Sequence, residues 1–230
     1  MRKIFVLACL AMIFGSTTSL FAQEMEAPDY DSIRKQTCNS KSPSYYPLLM
    51  QRFVECDTTL TLEDYRCLYY GFTLREDFVP YQGENEAVAS ARKRLGESGA
   101  APDYCPEAIK IAEKALQDNP FDLIALSIIP ICYFQMGDTE KFHLWDIKLH
   151  GILDAIGSSG DGETAESAFH VINIEHEYEI LNRLGLELDH IEATKAKQTD
   201  FMCVKENADN IKGRYFNYSA CGDSYRVRYK

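Results

Sequence analysis

His170, Glu175, His176 and Glu177 are side chains of the kinds that bind a metal ion or move a proton, and Asp161 and Glu163 stand just upstream. Zinc takes three or four N, S or O ligands, and the segment has enough of them. A strand over Ala168–Ile174 would put His170 and Ile172 on one face, and His176 opens the helix that follows. A turn between them could bring the imidazoles together to serve a metal-binding or hydrolytic site. Against this, HExxH is absent and the spacing fits no common zinc pattern. Glu175 and Glu177 are also ordinary acids at the positive end of a helix dipole, and a backbone carbonyl satisfies one imidazole on a short strand. His170 and His176 are therefore expected to be structural, with no metal and no cofactor. His170, His176, Glu175, Glu177 and Asp161 remain the candidate ligands should a metal bind here. Asp161-Gly162-Glu163 is only a fragment of a calcium loop, which needs several alternating carboxylates and a distant Glu. His143 and His150 suit a helix surface. GxSxG, the phosphate-binding loop and the dinucleotide glycine signature are absent, so no catalytic residue is assigned.

The redox chemistry open to the cysteines depends on the compartment. Arg2 and Lys3, the apolar stretch Ile4–Phe14 and the small residues before Gln23 have the form of a secretory signal. Cleavage is expected near Ala22. The apolar stretch is too short to span a bilayer, and Cys9 belongs to it. A periplasmic or secreted address follows, with no integral membrane segment after processing. Removing residues 1–22 lowers the basic count from 24 to 22 against 35 acidic residues and takes the charge from −11 to −13. So acidic a surface repels phosphate backbones, and nucleic acid is not an expected partner. Cys67 and Cys132 lie in apolar runs and read as small core residues. Cys38, Cys56, Cys105 and Cys221 sit beside turn-like residues and are the disulfide candidates, their pairing left open.

The elements that must position these groups follow from periodicity and punctuation. Tyr30–Lys35 could form a short helix. Tyr46, Leu49, Met50, Phe53 and Val54 have helical spacing. Thr61 before Leu62-Glu63-Asp64 is an N-cap signal for a helix with Leu62, Tyr65, Leu68, Tyr69 and Phe72 on one stripe. Most of Tyr45, Tyr46, Tyr65, Tyr69, Tyr70 and Tyr81 should be core or half-buried. Helices are expected at Ala87–Arg94, Glu107–Gln117, Phe121–Met136 (with Pro130 inside) and Thr139–Ile156, and Gly96–Pro106 reads as a break. From Ser158 the texture changes. Ser158–Glu163 reads as a flexible polar loop and Ala168–Ile174 as a strand. Glu175–Leu184 reads as a helix with Tyr178, Leu181 and Leu184 inward. Leu186–Ala193, Phe201–Lys205 and Arg214–Ser219 have strand character, with a hairpin turn at Asn207–Asn210. The fold class is α+β: residues 23–157 helical, and 158–230 a small mixed sheet with a short helix, packed as one compact unit with the helices.

Ala108–His150 resembles the tetratricopeptide repeat, a helix-turn-helix unit of 34 residues. Ala108, Ala115, Leu116 and Pro120 fit the second half of one repeat, and Tyr133 with Gly137-Asp138 fits the next. Phe142 departs from the pattern where a small Ala belongs. On the segments DTTLTLEDYRCLYYGF, KALQDNPFDLIAL, SSGDGETAESAFHVINIEHEYEIL and RYFNYS the chain resembles the domain of unknown function 4919 family. The resemblance spans roughly Tyr45–Ser219 and implies an exported protein of Bacteroidetes-type bacteria, with no catalytic residue to carry over. The expected function is a non-catalytic module that binds protein or peptide in the cell envelope, because repeat helix pairs build concave binding surfaces. A metal-dependent hydrolase centred on His170 and His176 is one alternative. A structural subunit of an envelope assembly is the other.

Overall fold

A computed structural model describes residues 25–76, 78–79, 83–97 and 102–219. Residues 1–24, where the signal segment is expected, and Tyr81 and Cys221 lie outside the described residues. In chain order the elements are α1 (Tyr30–Thr37), α2 (Tyr46–Val54), α3 (Leu62–Gly71), α4 (Glu86–Glu97), α5 (Cys105–Asp118), α6 (Leu123–Met136), α7 (Thr139–Gly157), β1 (Phe169–His170), α8 (Glu175–Arg183), β2 (Leu188–Ala193), β3 (Thr199–Val204) and β4 (Gly213–Asn217). Helices come first and a small mixed sheet last, so the architecture is α+β. None of the described helices is long and apolar enough to cross a membrane. The described residues form two compact units: one within 85–143, and one within 25–84 together with 144–219.

In the first unit α4, α5 and α6 pack on one another. Helix α5 buries Cys105, Ala108, Ile109, Ala112 and Ala115, and its small residues let α6 approach closely. Asn119–Asp122 joins the two helices, and the Asp122 carboxylate caps α6 by accepting from the Ala125 N–H at 2.9 Å. The break expected at Gly96–Pro106 is shorter than its sequence suggests, because α4 runs through Gly96 to Glu97. Helix α6 ends on Gly137, whose φ of +74° is left-handed, and the Asp138 N–H closes the end by donating to the Tyr133 carbonyl at 2.9 Å. A Cβ at Gly137 would meet nothing within 4 Å, so substitution costs backbone strain alone. Gly137→Val should therefore destabilise by at least ~1 kcal/mol, read as a lower urea midpoint. Superimposable melts would show that the turn tolerates a side chain.

In the second unit, α3 starts with a reciprocal cap. The Asp64 N–H donates to the Thr61 hydroxyl at 3.2 Å, and the Thr61 N–H donates to the Asp64 carboxylate at 3.0 Å. Helix α3 packs on α1 and α2. Tyr46, Leu49 and Phe53 of α2 are buried as expected, but Val54 is exposed because α2 ends there. The sheet order is β1-β4-β3-β2, with β1 parallel to β4 and the other pairs antiparallel. Asn207 builds the turn between β3 and β4, its side chain donating to Ile211 O and accepting from the Ile211 N–H.

Three expectations for this unit need correction. The strand expected over Ala168–Ile174 is cut to Phe169–His170: the Val171 N–H makes the last bond to β4, at Asn217 O, and the Ile172 N–H donates to the Tyr69 hydroxyl instead. Ser158–Glu163 is no loose polar loop. Ser159, Gly160 and Gly162 are buried, the Gly162 N–H donates to Ser167 O, and the Tyr215 N–H donates to Gly162 O, each at 2.8 Å. Helix α8 turns a different face inward: His176, Glu177, Ile180 and Leu181 are buried, Tyr178 is half-buried and Leu184 is exposed. The hydrogen bond between the Tyr69 hydroxyl and His176 Nδ1 fixes that roll.

The disulfide expectation also changes. Cys38, Cys56 and Cys105 are free thiols, as are Cys67, Cys132 and Cys203. Cys105 follows the 3-10 turn Pro102–Tyr104 but is fully buried at the start of α5, where its thiol donates to Gln135 Oε1 at 3.2 Å. Beside it, burial and the Cys105 thiol push the pKa of Cys132 up.

Candidate functional site

Tyr69 and Tyr70, consecutive on α3, hold the segment that carries the sequence candidates. The Tyr70 hydroxyl lies 3.2 Å from the carbonyls of Ala155 and His170. The Tyr69 hydroxyl lies 2.7 Å from His176 Nδ1, and the two rings stack at 5.7 Å. Having accepted from the Ile172 N–H, the Tyr69 hydroxyl can donate its own proton to Nδ1, which suits the neutral imidazole protonated at Nε2. His176 is 2% exposed and Tyr69 fully buried. A hydrolytic site needs water and substrate at the imidazole, and this position offers neither access.

His170 is half-buried. Burial, with Arg66 nearby, lowers its pKa to about 4, so it is neutral at neutral pH. Its Nδ1 is buried with no hydrogen-bond partner among the described residues. The Arg66 cation that disfavours the imidazole proton would disfavour a metal ion there for the same reason. Asp161 is occupied by its own loop, accepting from the Ser167 hydroxyl at 2.6 Å and the Glu163 N–H at 2.9 Å. Burial raises its pKa, but these hydrogen bonds outweigh it and the net shift is downward.

Glu177 is more than a helix-start acid. It is fully buried, and neither carboxyl oxygen has a hydrogen-bond partner among the described residues. Burial first, then the Asp200 and Glu175 carboxylates, raise its pKa to about 8. Its sequence position suggested a solvated acid, and the roll of α8 overrides that.

A different cluster escaped the sequence reading. Among the described residues, the His, Cys, Asp and Glu side chains that converge as a group of three are His190, Glu192 and Cys203, with ligand atoms all within 4.8 Å of one another. The five sequence candidates form no such group. His190 and Glu192 are alternate residues of β2 and share a face, and Cys203 on β3 is the cross-strand partner of His190. The alternation His190-x-Glu192 on a predicted strand was the available signal, but the register that brings Cys203 opposite was not. The pairing shifts between Leu188 and His190, and this bulge lets Asp189 turn back onto its neighbour. Asp189 Oδ2 lies 2.9 Å from His190 Nδ1, and Glu192 Oε1 lies 3.3 Å from Nε2. These carboxylates raise the pKa of His190.

The model of a domain of unknown function, DUF4919, matches residues 31–226. The chain belongs to the DUF4919 family. The match spans all four segments that suggested the resemblance, including the partly buried Ser158–Leu181 stretch on which Tyr69 and Tyr70 close. No curated protein and no solved structure matches the chain. In this DUF4919 protein the arrangement can do two distinct things. The Tyr69–His176 pair locks the fold, and the His190–Glu192–Cys203 face brings together nitrogen, oxygen and sulfur donors, the first two exposed and the thiol buried.

Proposed function

We propose that this protein is an exported, non-catalytic binding module that takes an apolar segment of a protein partner in the cell envelope. The observation that carries the reading is an aromatic surface in the first unit. Phe134 is 56% exposed at the end of α6, and its ring lies 5.6 Å from that of Phe142 on α7. Phe142 is half-buried, so the pair presents one exposed ring seated on a second, and exposed aromatic surface is costly in water and enriched where proteins bind one another. The tetratricopeptide-like reading supports the same role: α5 and α6 are joined by a short turn, with alanines buried along α5 and a left-handed glycine after α6. The secretory form of residues 1–22 supports the envelope address, and the acidic net charge of −11 argues against nucleic acid.

A photo-crosslinking amino acid at position 134, in cells carrying the protein, tests the reading. A defined protein adduct is expected at 134 and not at the exposed control position Lys110. Binding of that purified partner should weaken at least ~10-fold in the Phe134→Ala, Phe142→Ala double variant. Equal adducts at both positions, or unchanged binding by the variant, would remove the aromatic patch as the docking surface.

A further inference from the structure

We propose that His190, Glu192 and Cys203 bind a divalent metal ion of the zinc class on one face of β2 and β3, where His190 and Glu192 are exposed and the Cys203 thiol is buried beneath them. The donor set is what such a borderline ion takes: one imidazole nitrogen, one carboxylate oxygen and one sulfur. Metal–ligand bonds of 2.0–2.3 Å in a tetrahedron place neighbouring ligand atoms about 3.3–3.7 Å apart. The 3.3 Å between His190 Nε2 and Glu192 Oε1 is already such an edge. The Cys203 sulfur lies within 4.8 Å of a His190 ring nitrogen and a Glu192 carboxylate oxygen, so side-chain rotation completes a three-ligand face. The fourth position points to water, because His190 and Glu192 are exposed.

The backbone holds this face in place. Strand alternation aligns His190 with Glu192, and antiparallel pairing sets Cys203 opposite His190. Asp189, brought round by the bulge, receives Nδ1–H and leaves the Nε2 lone pair aimed at the ion. A carboxylate behind a ligating histidine commonly fixes its tautomer and orientation in this way. A histidine between two carboxylates would be an ordinary surface ion pair without the thiol. The sulfur on the next strand makes the set one that zinc prefers to calcium or magnesium. The site is distinct from half-buried His170, from buried His176 and from the Phe134 surface, so it stands or falls separately from the proposed docking role.

The test uses the mature chain purified without an affinity tag and stripped with a chelator, then titrated with Zn²⁺ by calorimetry and with Co²⁺ by absorbance. One equivalent should bind with micromolar or tighter affinity, Co²⁺ should give a thiolate charge-transfer band in the near ultraviolet, and Zn²⁺ should protect Cys203 from alkylation. Cys203→Ser should abolish the band, and both Cys203→Ser and His190→Gln should weaken binding at least ~10-fold, while His170→Gln leaves it unchanged. Circular dichroism of the exposed-site variant His190→Gln confirms that the fold is retained. Absence of saturable binding overturns the proposal. So does binding that survives Cys203→Ser with its affinity and spectrum intact.

Discussion

Glu177→Gln is expected to make the protein more stable at alkaline pH and to flatten its dependence of stability on pH. In the parent the group has a folded pKa of about 8 against an ordinary value of 4.5. Below pH 4.5 both folded and unfolded chains hold the proton, and the carboxyl adds no slope. Between 4.5 and about 8 the unfolded chain releases the proton while the folded chain keeps it, so stability falls as pH rises. Above that range both forms are ionised and the full cost of a buried carboxylate is present. At 1.36 kcal/mol per pH unit, the interval from 4.5 to about 8 corresponds to roughly 5 kcal/mol. Gln has nearly the same shape and cannot ionise. Urea melts at pH 5 should differ little between the two proteins, whereas at pH 8.5 the variant should be the more stable by several kcal/mol. Parallel pH profiles would mean that the Glu177 carboxylate reaches water in the folded chain. Asp200, whose pKa burial also raises, adds a slope of the same sign to both proteins and drops out of the comparison.

Gly160→Ala is the second large effect expected. A Cβ at Gly160 would sit 2.2 Å from the Ser167 carbonyl oxygen and 2.5 Å from that of Ala168. These are backbone atoms of a segment bonded on both sides. The Ser159 hydroxyl accepts from the His170 N–H at 2.8 Å and donates to Ile156 O at 2.6 Å. Neither strand can retreat without breaking such bonds. The single methyl should cost more than ~3 kcal/mol, in the range of severe overpacking with a lost hydrogen bond. Gly185→Ala is the control: its φ is +70°, but its Cβ would meet nothing within 4 Å, so only the ~1 kcal/mol of left-handed backbone is expected. Equal thermal midpoints for the two variants would show that residues 158–168 give way easily.

The contrast between these residues marks what the sequence alone could reveal. The Thr61–Asp64 cap, the Gly137 helix end and the Asn207 turn depend on neighbours a few positions away, so residue type and spacing expose them. The α+β order followed from the same local signals. Helix α8 was located correctly but rolled wrongly, because its inward face is chosen by Tyr69, on a helix far back in the chain. Ser158–Glu163 reads as polar and loose since glycine and serine dominate it. Its tightness comes from Ser167, His170 and Tyr215, which are not adjacent to it. The His190–Glu192–Cys203 face needed the β2–β3 register, and a slip of one residue would have turned Cys203 away.

The second compact unit is assembled from two stretches of chain with residues 85–143 between them. On the ribosome, Tyr69 and Tyr70 emerge long before their partners at residues 155–176, so α1–α3 must wait with an apolar face uncovered. Residues 85–143 form their contacts within one continuous stretch and have no such delay. Synthesis therefore imposes an order: the inserted helices can settle first, and the outer unit closes only as the C-terminal strands appear. Loop-closure entropy adds to the wait, because that closure joins positions about a hundred residues apart. Truncated chains ending between residues 144 and 168 should then be the ones most readily held by chaperones or cut by proteases.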